Sequence, residues 1–234
     1  FPNVTSLSIM WHSDWMFSEL SGLPQLRSLK ILLRSCYDRL GNFTFPSLAR
    51  VLVACSKVTS LSVDEPVCSG NIVAIATLLP QLQSLSLPDA GWHLDLLSEL
   101  QHLTRLETSS WNPFAVTCLP QMQSLTLGGP TLPPRPDLKA VFPSLIEATL
   151  DSERSTFTLP DSLQRLHLLR DNRVRMLKAL ATDEQMAPRL QRLVLSSLNF
   201  SAFVDFVTAI VNKKAHDFAL KTLRKAPLLE IAVV

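Results

Sequence analysis

The sequence predicts an α/β solenoid, a curved arc with short parallel strands on its inner face and helices and irregular segments on its outer face. Three observations carry this. One string recurs nearly letter for letter, as Leu23-Pro24-Gln25-Leu26-Arg27-Ser28-Leu29-Lys30-Ile31, Leu79-Pro80-Gln81-Leu82-Gln83-Ser84-Leu85-Ser86-Leu87 and Leu119-Pro120-Gln121-Met122-Gln123-Ser124-Leu125-Thr126-Leu127. Its last part alternates apolar and polar residues as a half-buried strand does. A unit this short cannot bury its own apolar face, so it must stack on copies of itself. The intervals between copies carry apolar residues at helix spacing, and alternation of short strands with short helices puts parallel strands on one side and helices on the other. The handedness of the crossovers then curves the stack.

Taken in order, the strand cores are Val4–Ile9, Leu26–Ile31, Val58–Val63, Leu82–Leu87, Leu103–Thr108, Met122–Leu127, Leu145–Leu150, Leu163–Leu168, Leu190–Leu195 and a degenerate Leu228–Val233. Their starts are mostly roughly 20–30 residues apart, the period of leucine-rich repeats. Between them, Pro46–Ser56 places Leu48, Val51, Leu52 and Cys55 at helix spacing behind a proline suited to a first turn. Leu48–Val53 as a further strand is the alternative. Asn71–Leu79, Leu94–Leu100, Val174–Leu180, Ala202–Val211 and Phe218–Leu223 give the same helical signal. The run from Gly128 to Pro136 suits neither helix nor central strand. It reads as an extended loop replacing a helix, or as a hinge or binding loop.

Composition bounds the rest. The chain has 234 residues, 47% of them apolar and 18% charged, which favours a continuous core over disorder. One domain spanning 1–234 is expected. A net charge of +2 gives no electrostatic footprint for nucleic acid or an anionic membrane surface. The apolar stretch Phe200–Val211 is broken by Asp205 and is too short to span a bilayer. Phe1 already lies inside a repeat, so an N-terminal part is expected to precede it. Cys36, Cys55, Cys68 and Cys118 show no paired spacing and read as free thiols of a reducing, intracellular compartment, cytoplasmic or nuclear. Sequons at Asn3, Asn42 and Asn199 are of the kind a Ser/Thr-rich chain generates by chance.

The strings "FPNVTSLSI", "LPQLQSLSL" and "APRLQRLVL" resemble the irregular leucine-rich repeats of F-box substrate receptors and of the C-terminal arrays of plant-type immune receptors. The resemblance covers nearly the whole chain. It implies a protein-interaction module, foremost the substrate-recognition arc of an F-box-type ubiquitin-ligase adaptor that meets a Skp-type linker through an upstream region. The immune-receptor likeness implies instead a sensing array with a nucleotide-binding domain upstream. A scaffold or inhibitor occupying a partner's surface is the third reading. Regular repeats place Asn or Cys three residues after the last strand leucine. Here those places hold His12, Arg34, Pro66, Ala90, Trp111, Pro130, Glu153, Asp171 and Leu198. Without that polar ladder the turns must differ from repeat to repeat, which suits the F-box-like class better.

Alternation turns the leucine-type positions to the core and the residues between them to the inner face. In the first half these are hydroxylic (Ser6, Ser8, Ser28, Ser60, Ser62, Ser84, Ser86, Ser124 and Thr126), with Lys30 the lone charge. From the fifth strand charges accumulate: Arg105 and Glu107, then Glu147, Arg165, His167 and Arg192. These are candidate protein-binding residues, although strand serines also serve simply to keep neighbouring strands close. All four tryptophans fall just after strands, as Trp11, Trp15, Trp92 and Trp111, with Phe114 nearby. Such segments share one edge of a solenoid, and Trp and Arg dominate interface energetics. The competing role for each is packing under the rim, for Trp15 and Trp92 especially.

Motifs for catalysis are missing. The six glycines form no phosphate loop, and neither HExxH nor GxSxG occurs. His12, His93, His102, His167 and His216 lie at no metal-ligand spacing. His93–Asp95 and His216–Asp217 are neighbours without a positioned nucleophile. The sequence therefore argues against an enzyme and implies no cofactor and no metal.

Overall fold

The computed structural model describes residues 3–11, 20, 22–33, 46–64, 69–88, 94–109, 118–128, 137–151, 157–169, 176, 187–196 and 230–233. The chain falls into two compact units, Phe1–Thr117 and Cys118–Val234. Each is α/β, with parallel strands in sequence order and few helices between them.

The first unit carries β1 (Ser6–Trp11), β2 (Ser28–Leu33), β3 (Ser60–Val63), β4 (Ser84–Leu87) and β5 (Arg105–Thr108). Neighbours pair in parallel with like motif positions in register: Leu7, Leu29, Leu61, Leu85 and Leu106 form one continuous row. The second unit repeats the plan with β6 (Ser124–Gly128), β7 (Glu147–Asp151), β8 (Arg165–Leu169), β9 (Arg192–Leu195) and β10 (Glu230–Val233). Its corresponding row is Leu125, Ala148, Leu166, Leu193 and Ile231.

All ten strands begin two residues later than the apolar string does, and the turn explains why. From β2 to β9 the first leucine-type residue of the motif donates its amide backward three residues. Leu26 bonds the Leu23 carbonyl at 3.1 Å, Leu82 that of Leu79 at 3.0 Å and Met122 that of Leu119 at 3.2 Å. In the form apolar-Pro-x-Leu, proline occupies the second position of this turn, where its fixed φ is already correct. Leu145→Phe142 and Leu190→Ala187 follow the same plan, at 3.1 and 3.0 Å. Val58→Cys55 and Leu103→Leu100, at 2.9 and 3.0 Å, close the same turn with no proline in that position. Proline thus favours the turn without being required for it. Ala187, at the head of its turn, has φ of +47°, a left-handed conformation that a Cβ makes costly.

Beyond the turn, one carbonyl receives two amides from the next copy. Arg27 and Ser28 both donate to the Thr5 oxygen (2.8 and 3.0 Å), and Thr59 and Ser60 to that of Arg27 (2.8 and 2.9 Å). Gln164 and Arg165 do the same at Ile146 (2.9 and 3.0 Å), and Gln191 and Arg192 at Gln164 (2.8 and 3.0 Å). The register is therefore set before each strand starts.

The core is the apolar side of these ladders. Leu82, Leu85 and Leu87 are buried, as are their counterparts Leu26-Leu29-Ile31, Val58-Leu61-Val63 and Leu163-Leu166-Leu168. Thr108 and Ala148 each take one leucine place and are buried too. In β1, Leu7 and Ile9 are only half-buried.

Helix α1 (Pro46–Ala54) begins at the predicted proline and buries Leu48, Val51 and Leu52, so this segment is helix and not strand. Helix α2 (Ser69–Leu78) buries Ile72 and Ile75. Leu94–Glu99 is a 3₁₀ helix, not an α-helix. Its rise of about 2.0 Å per residue covers the short span between β4 and β5 with fewer residues than an α-helix needs. A short helix absent from the sequence reading, α3 (Leu138–Val141), is capped by Asp137, which accepts the Ala140 amide at 3.0 Å. The helical expectations for Val174–Leu180, Ala202–Val211 and Phe218–Leu223 lie outside the described residues, Met176 excepted. So does the loop 129–136.

Candidate functional site

The face of each ladder opposite the core consists of the residues between the leucines, and pairing arranges them in straight rows. In the first unit the leading row reads Ser6, Ser28, Ser60, Ser84 and Arg105, and the next Ser8, Lys30, Ser62, Ser86 and Glu107. Arg105 and Glu107 are exposed, whereas the serines of β3 and β4 are half-buried by their neighbours. This half of the face is a short hydroxyl pavement ending in charge at β5.

In the second unit the leading row reads Ser124, Glu147, Arg165, Arg192 and Glu230. Arg165 Nη2 lies 3.4 Å from Glu147 Oε2, with the two side chains 55% and 39% exposed. Such an exposed pair contributes little to stability, about 0–1 kcal/mol. The middle row is Thr126, Thr149, His167, Val194 and Ala232. His167 Nε2 hydrogen-bonds the Ser196 hydroxyl just beyond β9. Partial burial lowers the His167 pKa, which favours the neutral ring that this bond needs if Nε2 is to accept. Arg165, His167 and Arg192 are thus gathered on adjacent strands, with Glu147 beside them.

Ser196 could not be picked out from residue order, because its role depends on register: its amide bonds the Leu168 carbonyl at 3.1 Å, bringing it onto the same face as His167. Two further contacts tie copies together away from this face. Lys139 Nζ meets Asp161 Oδ1 at 3.0 Å, and the Ser162 hydroxyl lies 2.8 Å from both the Pro143 and Leu145 carbonyls, its one proton shared between them. Of the tryptophan rim, Trp11 is the last residue of β1, in register with Leu33. Trp15, Trp92, Trp111 and Phe114 lie outside the described residues.

Two buried polar groups stand apart from the faces. Asn71, near the start of α2, is 5% exposed, and its Nδ2 has no hydrogen-bond partner among the described residues. Cys55 is buried behind α1, and desolvation pushes its thiol up to about 11, which makes it a poor nucleophile. Among the described residues, no cluster of three His, Cys, Asp or Glu could hold a metal ion, and no helix is long and apolar enough to cross a membrane.

No protein-family model matches the chain, and no curated protein is similar enough to it to count as a match.

Proposed function

We propose that the chain is a leucine-rich-repeat solenoid serving as a protein-interaction module, with the strand faces as its recognition surface and a protein as its partner. One observation carries this reading. The core side of the ladders stays apolar from copy to copy except at Thr108, while the opposite side changes from hydroxyls to paired ions at identical register positions. A scaffold that holds its core constant and varies its face separates stability from recognition. The F-box resemblance supports the more specific reading of an intracellular substrate-recognition arc of a ubiquitin-ligase adaptor.

Photo-crosslinking tests the surface. A photoreactive amino acid placed at Ser86 or Thr126 on the strand faces is expected to capture a protein in cells, whereas one at the helix position Val53 is not. Capture from Val53 with none from the faces rejects this assignment. The adaptor reading has its own check, co-purification of a Skp-type linker with the full-length gene product, and failure to co-purify removes it.

A further inference from the structure

In the ladder of the first unit, two successive amides of each later copy meet one carbonyl of the copy before it, as Arg27 and Ser28 do at Thr5, and Thr59 and Ser60 at Arg27. In β1 the equivalent amides are those of Thr5 and Ser6, and they donate to no acceptor among the described residues. Both residues are exposed. Among the described residues β1 is paired on one side only, by β2. Alternation along a parallel strand turns the backbone of Ser8 and Met10 to the open side together with that of Ser6. The side chains agree with the backbone. Leu7 and Ile9 are half-buried, whereas their register partners Leu29 and Ile31 are 1% and 0% exposed. Met10, next after Ile9, is 38% exposed. Natural sheets blunt an open edge with charge, with proline or by keeping the strand very short. β1 has six residues, Ser6–Trp11, and contains neither a charge nor a proline.

We propose that the open edge of β1 takes up an extended, uncharged segment of a protein partner as an added parallel strand. The edge dictates what that segment must carry. One of its carbonyls must reach the Thr5 and Ser6 amides together, which is the parallel geometry that the copies use among themselves. Aliphatic side chains must fall level with Leu7, Ile9 and Met10, and small ones level with Ser6 and Ser8, for β1 to be covered as its neighbours are. No charge is called for, because β1 presents none to pair with. A second copy of this chain fits less well. A two-fold contact of β1 with β1 runs antiparallel, where opposed residues exchange bonds and two successive amides do not share one oxygen. A head-to-tail contact closes only for particular rotations and otherwise grows into fibres. The proposal rests on the reading of the chain as a protein-interaction module, and adds a site apart from the strand faces and the form in which a partner segment is held there.

The test is amide hydrogen exchange of the whole protein, alone and titrated with an end-capped peptide copying Leu79–Leu87, which carries this alternation without charge. The control peptides are the same residues in scrambled order and the same string with Glu in the place of Leu85. In the protein alone the Thr5 and Ser6 amides should exchange at least about ten-fold faster than those of Arg27 and Ser28. The copying peptide should slow them saturably, by about ten-fold or more, and neither control should. Ser6→Pro, which removes one of the two amides, should abolish the slowing at Thr5, whereas Ser6→Ala, which keeps it, should not. Ser8→Lys sets a charge beside the open edge and should weaken the response. Circular dichroism spectra matching that of the parent protein exclude misfolding, and if Ser6→Pro fails to fold, Ser8→Lys decides. Slow exchange at Thr5 and Ser6 without peptide, no saturable slowing, or an equal response to the scrambled peptide overturns the proposal. So do concentration-dependent dimers in light scattering that Ser8→Lys dissolves, since these give the edge to a second copy. None of these outcomes touches crosslinking from Ser86 or Thr126, so the edge can fail while the strand faces stand.

Discussion

The two units solve the same packing problem and finish it differently. In Phe1–Thr117 the strand face is paved with serine, Lys30 apart, until Arg105 and Glu107 on β5, while in Cys118–Val234 it turns ionic by the second strand. The backs hardly differ: Leu85 of one and Leu166 of the other are both buried in unbroken apolar rows. The comparison teaches that register and turn chemistry are common property, whereas the outward residues are left to vary. It also shows where each unit departs from its own best packing. The first buries Asn71 Nδ2 with no partner among the described residues, and the second sets Arg165 and Arg192 in register on β8 and β9.

The contrast between invariant back and variable face can be broken first at the core. Leu85→Ala should cost roughly 2–5 kcal/mol, and Leu7→Ala in the half-buried end strand clearly less. Denaturant midpoints measure both, and equal losses would show β1 to be packed as tightly as β4. Next comes Asn71→Leu. Replacing an amide whose buried Nδ2 has no partner among the described residues by an apolar side chain of nearly the same size should stabilise the protein by about 1–3 kcal/mol, seen as a higher midpoint. A loss instead would mean that the amide has a structural task.

His167 sharpens the comparison from the ionic side. Its ring titrates ordinarily near 6.5, and in the fold burial holds it lower. On acidification the unfolded chain therefore takes up this proton first, so the share of stability tied to the neutral ring is complete above that pH and is lost as the pH falls through it. Melting temperature measured from about pH 7.5 to 5.5 should drop less steeply in His167→Gln than in the parent protein. Ion pairs come last. Lys139→Ala, which removes the exposed partner of Asp161, should change stability by no more than about 0.5 kcal/mol.

Much of this could be read in advance from residue order. Leu82, Leu85 and Leu87 announce a strand by alternation, and Leu48, Val51, Leu52 and Cys55 a helix by spacing, because each pattern maps one face onto one periodicity. The turn ahead of each strand was written in Leu79-Pro80-Gln81-Leu82, yet its effect on the strand start was not, since a leucine at a strand mouth and one inside the ladder look alike in a pattern of apolar residues. The candidate face was legible residue by residue in Arg165, His167 and Arg192. Their partners were not. Ser196 reaches His167 only through the pairing of β8 with β9, and Glu147 faces Arg165 across another long separation in the chain. Asn71 gave no warning either, for one polar residue at the start of a helix is ordinarily a solvated one.

The doubly used carbonyls ahead of the strands have a consequence for how such a chain tolerates change in length. Alignment is renewed by two amides gripping one oxygen at Thr5, Arg27, Thr59 and Gln83 and again at Gln123, Ile146 and Gln164, so material added in a connecting segment, between β8 and β9 for example, leaves the register of the strand that follows unchanged. A single residue added between Ser84 and Leu85 is another matter. It falls after the grip, where no later contact corrects the phase, and Leu85 and Leu87 would be turned outward together. Lengthening is therefore tolerated in the connecting loops and ruinous where it follows the grip inside a strand.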